Sequence, residues 1–118
     1  MTVYWETLNS YKNSLEGKIW YGACFTSQQA VEKALKAYLI SQEKDIKKIH
    51  DLRALLEECI KSDQSFESLR NECVALNTYY IPSRYPDLSE FIHFTKEKSE
   101  EAYKFAKEIT SFVKDKIQ

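Results

Sequence analysis

Residues 79–87, Tyr-Tyr-Ile-Pro-Ser-Arg-Tyr-Pro-Asp, contain the residue types best suited to binding a nucleotide, because Arg84 lies between Tyr80 and Tyr85. A guanidinium group can bind a phosphate with two hydrogen bonds, and an aromatic ring can stack on a base. The alternative is structural: Arg84 would pair with a carboxylate such as Asp87, and the tyrosines would fill one end of a helical bundle. The residue types fit both interpretations equally, and a position in a proline-stiffened loop slightly favours function.

Residues 27–37, Ser-Gln-Gln-Ala-Val-Glu-Lys-Ala-Leu-Lys-Ala, form a second segment with polar groups in a helical stretch. Glu32 and Lys36 have the spacing and the order of a stabilising ion pair on a helix. Gln28 and Gln29 point about 100° apart on a helix, so one of them is expected near the buried face, where it needs hydrogen-bond partners. A helix–helix or subunit interface would provide such partners, and so would a ligand; the structural or dimer role is the favoured interpretation.

Composition and length exclude several classes of protein. The 118 residues, 43% hydrophobic and 30% charged, fit one globular domain, and the net charge of -1 gives no overall attraction to nucleic acid or to anionic membranes. Two glycines cannot form a glycine-rich nucleotide loop, and His50 and His93 lie too far apart for metal-ligand spacing, so neither a metal nor a cofactor is expected. The three cysteines are widely spaced, and neither a leader nor a membrane-spanning run is visible, so we expect a cytoplasmic protein.

Helices must position both segments. Apolar residues recur in steps of three and four along almost the whole chain, and only two Gly and two Pro are present. The second helical stretch has an apolar face wide enough for burial on two sides. The boundaries that we expect are a first helix ending at Gly17, a third starting near Asp51, a fourth capped by Ser65 and ending before Pro82, and a last one starting near Thr95. The predicted fold is all-α: an up-down bundle of four main helices plus a shorter one, in one domain over residues 1–118.

At these segments the sequence resembles the HEPN family, whose name refers to nucleotide binding in higher eukaryotes and prokaryotes. The resemblance covers roughly Tyr4 to Val113. It rests on four blocks in order: Trp5 in an N-terminal helix, residues 21–37, His-Asp-Leu at 50–52, and Tyr-Ile-Pro-Ser-Arg-Tyr-Pro-Asp at 80–87. It implies a bundle of about five helices that commonly forms a homodimer. Family members are often encoded beside a small nucleotidyltransferase, with which they act as a toxin–antitoxin or nucleotide-handling pair.

Many HEPN proteins are ribonucleases that need no metal and use an Arg followed, after about four to six residues, by a His. In that chemistry the His acts as general acid and base on the ribose 2′-hydroxyl, and the Arg stabilises the phosphorane charge. Here eight residues separate Arg84 from His93, and Arg70-Asn71, which begins like the toxin version, has Ala75 in place of the His. The chain therefore resembles the Arg-Tyr-Pro branch of the family, which often lacks that His.

Three functions remain as hypotheses. The first is a HEPN protein that binds a nucleotide or RNA, with Arg84 on a phosphate and a tyrosine stacked on a base. The second is a toxin-like, metal-independent ribonuclease with Arg84 and His93 as catalytic residues. The third is a protein–protein interaction module that docks a partner or a second copy. The residues expected to bind the ligand are Arg84, Tyr80, Tyr85, Lys33 and Lys36, with Gln28 and Gln29 in an interface or a structural role.

Overall fold

Four α-helices and one short 3-10 helix make up the fold in the computed structural model, which describes residues 2–46, 49–79 and 93–118, with side chains described from residue 15 onward. The elements are α1 (Thr2–Ser41), α2 (Leu52–Ser62), a 3-10 helix (Gln64–Leu69), α3 (Arg70–Asn77) and α4 (Lys96–Ile117). No strand occurs in these ranges. The predicted all-α helical bundle is therefore confirmed.

α1 is longer than the sequence pattern predicts. It continues without a break through Gly17, which is buried, and no glycine of the described residues has a positive φ. The prediction that Gly17 ends the first helix is therefore wrong. A glycine ends a helix when it adopts the left-handed conformation. Within a continuous helix, a glycine lowers the stability of the helix by only about 1 kcal/mol relative to alanine. The helix-forming tendency of the residues on both sides outweighs this cost.

Short polar side chains set where the later helices begin. Asp51 caps α2, because its carboxylate accepts hydrogen bonds from two backbone N–H groups of the first turn. Thr95 caps α4 in the same way, through its hydroxyl, and both helices start where the sequence predicts. The predicted cap at Ser65 is wrong: Asp63 takes that role and accepts the Ser65 N–H at 3.0 Å. The capping carboxylate comes two residues earlier because the chain first forms the 3-10 helix.

The core lies between α1 and the other elements. Phe66, at the 3-10 helix, is fully buried, and its ring centroid lies 4.5 Å from that of Tyr38 on α1 and 5.1 Å from that of Phe112 on α4. The three cysteines are buried as free thiols and pack there as small apolar residues. The other fully buried aliphatic side chains of the described residues are Val31, Leu35, Leu39, Leu52, Leu55, Leu56, Leu76, Ala102 and Ile109.

α1 and α4 run side by side in the same direction. Tyr21 of α1 contacts Phe94 just before α4, with ring centroids 4.9 Å apart, whereas Ala37 and Ile117 line one groove near the other ends of these helices. α3 runs opposite to α4, because Tyr79 after α3 also contacts Phe94. Phe94, just before α4, therefore lies beside the middle of α1 and the end of α3.

Candidate nucleotide or RNA site

A buried polar network lies on α1 where this helix meets the start of α2. Glu32 is only 7% exposed; its Oε2 accepts a hydrogen bond from Lys36 Nζ at 3.1 Å and lies 3.3 Å from His50 Nδ1. The predicted pair of Glu32 and Lys36 is thus confirmed. The His50 ring can donate a hydrogen bond to this carboxylate from Nδ1, which leaves Nε2 for a second hydrogen-bond partner. The His50 side chain is 55% exposed, so a ligand can reach it.

Gln28 and Gln29 extend this network by one helical turn. Gln28 is fully buried, and its Oε1 accepts a hydrogen bond from Gln29 Nε2 at 2.7 Å. The expectation that one glutamine faces the interior is therefore confirmed. However, Gln28 Nε2 and Glu32 Oε1 are both buried without a hydrogen-bond partner. An unpaired buried polar group costs about 1–3 kcal/mol, so this part of the helix is not optimised for stability alone.

Gln29, Lys33 and Lys36 lie along one side of α1, which we call the basic flank. Their spacing of four and three residues places the side chains next to one another on the helix surface. Lys33 is exposed and makes no ion pair within the part of the chain that the structure describes. Two cations and an amide arranged in this way can contact phosphates and the edge of a base.

An aromatic cluster brings together the residues on either side of residues 80–92, the segment that contains Arg84. Tyr79, which precedes residues 80–92, and Phe94, which follows them, have ring centroids 5.9 Å apart. Phe94 also packs edge-to-face against Tyr21, at 4.9 Å. Since Tyr21 is two helical turns before Gln28 on the same side of α1, Phe94 lies beside the helix face that carries the polar network.

Three of the predicted ligand-binding residues, Arg84, Tyr80 and Tyr85, lie outside the described residues, so their contacts stay predictions. His93 is exposed, and its backbone carbonyl accepts a hydrogen bond from Lys98 Nζ at 3.0 Å. The predicted convergence of Arg84 with His93 likewise stays a prediction. The other predicted residues, Lys33, Lys36 and the two glutamines, do lie together.

The contact between Glu32 and His50 is a feature that the sequence analysis missed. The two residues are 18 positions apart, and local periodicity does not relate them. A signal was nevertheless present. Asp51 has the type of residue that caps a helix, and a cap places the preceding His50 at the junction where the chain enters α2.

Within residues 15–46, 49–79 and 93–118, no group of three or more His, Cys, Asp or Glu side chains could hold a metal ion. None of the helices described combines the length and the apolar composition that crossing a lipid bilayer requires.

Comparison with known proteins identifies the family. The family model of the HEPN domain matches residues 5–116. Searches of curated proteins and of solved structures give no significant match. The family match covers nearly the whole chain and includes the basic flank, the polar network and the segment around Arg84. The chain therefore belongs to the HEPN domain family, a nucleotide- and RNA-related domain.

Proposed function

We propose that this HEPN domain binds a nucleotide or RNA through the basic flank and the segment around Arg84. The basic flank is the observation that carries the proposal, because lysine–phosphate contacts provide most of the sequence-independent affinity for nucleic acid. Lys33 is exposed on this side of α1, and the partly buried Lys36 lies next to it. In this proposal Arg84 binds a phosphate, and Tyr80 or Tyr85 stacks on a base.

The local distribution of charge supports this function even though the net charge of the chain is -1. The carboxylate closest to the basic flank is Glu32, which is 7% exposed. Lys36 pairs with this carboxylate at 3.1 Å, so the net positive charge of the basic flank comes from the exposed Lys33. A small patch of positive charge can attract a phosphate when salt screens the more distant carboxylates, since the Debye length is about 8 Å at physiological ionic strength.

Calorimetric titration with ATP, GTP and a short RNA tests the proposal. We expect the wild type to bind at least one of them, and Arg84→Ala or Lys33→Glu to weaken binding about tenfold or more, with a smaller salt dependence for RNA. Lys104→Glu is the matched control, because Lys104 is an exposed lysine on α4, and it should bind like the wild type. If the wild type binds none of the three ligands, the proposal is wrong.

We also propose that the domain acts as a homodimer and together with a small nucleotidyltransferase, as a toxin–antitoxin or nucleotide-handling pair. Membership of the HEPN family supports this proposal, and so do exposed apolar side chains such as Ile19 and Tyr103, which are 65% and 64% exposed. Co-purification with a nucleotidyltransferase encoded next to this chain tests the partner. Recovery of the two proteins separately at micromolar concentrations would contradict it.

A metal-independent ribonuclease is the second candidate function. The exposure of His93, directly after the segment that contains Arg84, favours it. Cleavage of RNA by the purified protein in the presence of a chelator tests this function, and His93→Ala should abolish it. If His50→Ala abolishes cleavage instead, the general base is the imidazole that contacts Glu32. Cleavage that survives both substitutions would exclude a catalytic histidine.

A further inference from the structure

Tyr21, Phe25, Gln29 and Lys33 follow one another at steps of four residues on α1, and we call this row the α1 ridge. Steps of four residues place successive side chains next to one another along a helix. The α1 ridge therefore has two aromatic rings at one end, an amide in the middle and a cation at the other end. Phe25 lies about 12 Å from Lys33 along the helix axis, with Gln29 halfway between them.

The Phe25 ring is supported by other aromatic rings. Its centroid lies 5.9 Å from that of Tyr21, with an angle of 30° between the ring planes. Tyr21 in turn contacts Phe94, which packs against the hydrophobic core. Among the described residues, Phe25 is not one of the partly buried apolar side chains that pack against this core. Phe25 is thus a partly exposed ring that is held in place at the surface.

Gly22 leaves open space beside the Phe25 ring. A helical side chain leans towards the N-terminus of its helix, so the Phe25 ring covers the turn that contains Gly22. A methyl group added at Gly22 would find no described atom within 4 Å, apart from its chain neighbours and the helix backbone. Alanine would form a more stable helix, and Gly22 does not have a positive φ. Packing within the described residues therefore does not explain this glycine, whereas a flat ligand against the Phe25 ring does.

The order of the groups on the α1 ridge matches the parts of a nucleotide. A nucleobase is a flat ring that stacks on an aromatic side chain, provided that its faces are not already covered in a duplex. Gln29 Nε2 donates a hydrogen bond to Gln28 Oε1, so the Gln29 oxygen is the atom that can accept one from the edge of a base. Lys33 is exposed and can bind the phosphates that follow the base.

We propose that an unpaired nucleobase stacks on Phe25, in the space beside Gly22, while the phosphates attached to it bind at Lys33. The inference rests on the proposed binding of a nucleotide or RNA. It assigns a stacking residue on α1, in addition to the tyrosines expected near Arg84. It also defines the ligand class as a free nucleotide or a single strand, because both faces of a base are covered inside a duplex.

Calorimetric titration with base-free ligands measures the contribution of stacking. The base-free counterpart of ATP and GTP is tripolyphosphate, and that of a short single-stranded RNA is an abasic strand of the same length. The wild type should bind its ligand about tenfold or more tightly than the base-free counterpart. If the ligand is RNA, the single strand should also bind more tightly than its duplex. Equal affinity for a ligand and its base-free counterpart would overturn the proposal.

Substitutions of Phe25 separate stacking from a structural role. Phe25→Leu should lower the affinity for the ligand about tenfold and leave the affinity for the base-free counterpart unchanged. Phe25→Tyr keeps an aromatic ring and should bind like the wild type. Phe105→Leu is the matched control, at a partly buried phenylalanine on α4, and should change neither affinity. A Phe25→Leu protein that loses affinity for both ligands by the same factor, or for neither, would contradict the assignment.

Filling the space beside the ring is a second test, which removes no contact of Phe25. Gly22→Leu should lower the affinity for the ligand about tenfold, whereas Tm should stay the same or rise because leucine is the better helix former. Ala23→Leu is the matched control; Ala23 is exposed nearly opposite Phe25 on α1, and this variant should bind like the wild type. Wild-type affinity in the Gly22→Leu protein would overturn the proposal.

Failure of this inference can be distinguished from failure of the proposed function. A wild type that binds its ligand no more tightly than the base-free counterpart would refute the stacking site and leave phosphate binding by the basic flank standing. A wild type that binds neither ATP, GTP nor RNA would refute the proposed function, and the stacking site with it. Titrating all ligands into the same wild-type preparation separates the two outcomes.

Discussion

The buried amide of Gln28 is the most direct test of the packing around the polar network, because its Nε2 has no hydrogen-bond partner. Replacing Gln28 with methionine keeps a side chain of similar length and removes the unpaired donor. The same change removes the acceptor of Gln29 Nε2, which lies 2.7 Å from Gln28 Oε1. Gln29 is only partly buried, so its amide can form a hydrogen bond with water instead.

The two effects of Gln28→Met differ in size. Removing an unpaired buried polar group returns about 1–3 kcal/mol, whereas losing one ordinary hydrogen bond costs about 0.5–1.5 kcal/mol. The expected net gain in the free energy of unfolding is therefore about 1 kcal/mol. An unfolding entropy of about 2.1 cal/mol/K per residue gives roughly 0.25 kcal/mol/K for this chain, so Tm should rise by about 4 °C.

Thermal unfolding followed by circular dichroism measures this shift. All variants should be compared at the same low protein concentration, at which the chain is monomeric. Dimer formation would otherwise stabilise the folded state further. Gln29→Met is the matched control; it leaves the buried Gln28 Oε1 without its donor, so it should lower Tm by several degrees. A Gln28→Met protein that is less stable than the wild type by about 1 kcal/mol would refute the reasoning, because it would mean that Nε2 is hydrogen-bonded in the folded protein.

Three further predictions follow from the core and from the pKa values of buried or paired groups. Phe66→Ala should lower the free energy of unfolding by about 3–5 kcal/mol in urea titrations, because it leaves a cavity where a fully buried ring packs; a loss below about 1 kcal/mol would show that the site collapses. Hydrogen bonds from the Ser65 hydroxyl and from Lys116 lower the pKa of Asp63 to about 2. This carboxylate therefore stabilises the fold above the unfolded pKa of about 3.9, and the contribution is lost as the pH falls through about 2. In acid unfolding curves, the free energy of unfolding of Asp63→Asn should fall less between these two pH values than that of the wild type. An equal fall in both proteins would mean that other groups cause it. Burial raises the pKa of the three cysteine thiols to about 11 or 12, so a thiol reagent at neutral pH should modify them only after unfolding. Rapid modification of the folded protein would contradict their burial.

The sequence was sufficient to predict the helical content, the starts of α2 and α4 and the family blocks. Each of these features depends on residues that are close together in the chain. Asp51 and Thr95 cap their helices through N–H groups of the first turn, so the cap and its donors are adjacent. The pair of Glu32 and Lys36 is likewise local, with both residues on one helix. Local interactions of this kind change little with the surrounding fold.

The interior position of one glutamine followed from the angle between adjacent residues on a helix, but which of the two is buried did not. That choice depends on the elements packed against α1, and they bury Gln28 completely. The contact of His50 with Glu32 depends on the path of the connection between α1 and α2, which no periodic pattern describes. The continuation of α1 through Gly17 is likewise a balance between a small local cost and the helix on both sides.

The sequence by itself thus determined an all-helical protein of the HEPN type, with a wide apolar face on its long helix. Only the tertiary structure decided how that face is used. Apolar residues recur in steps of three and four on any apolar side of a helix, whether that side is buried in the core or exposed at the surface. Packing of the other elements buries Val31 and Leu35 and leaves Ala30 and Lys33 exposed. The same α1 therefore provides the core on one side and the basic flank on another.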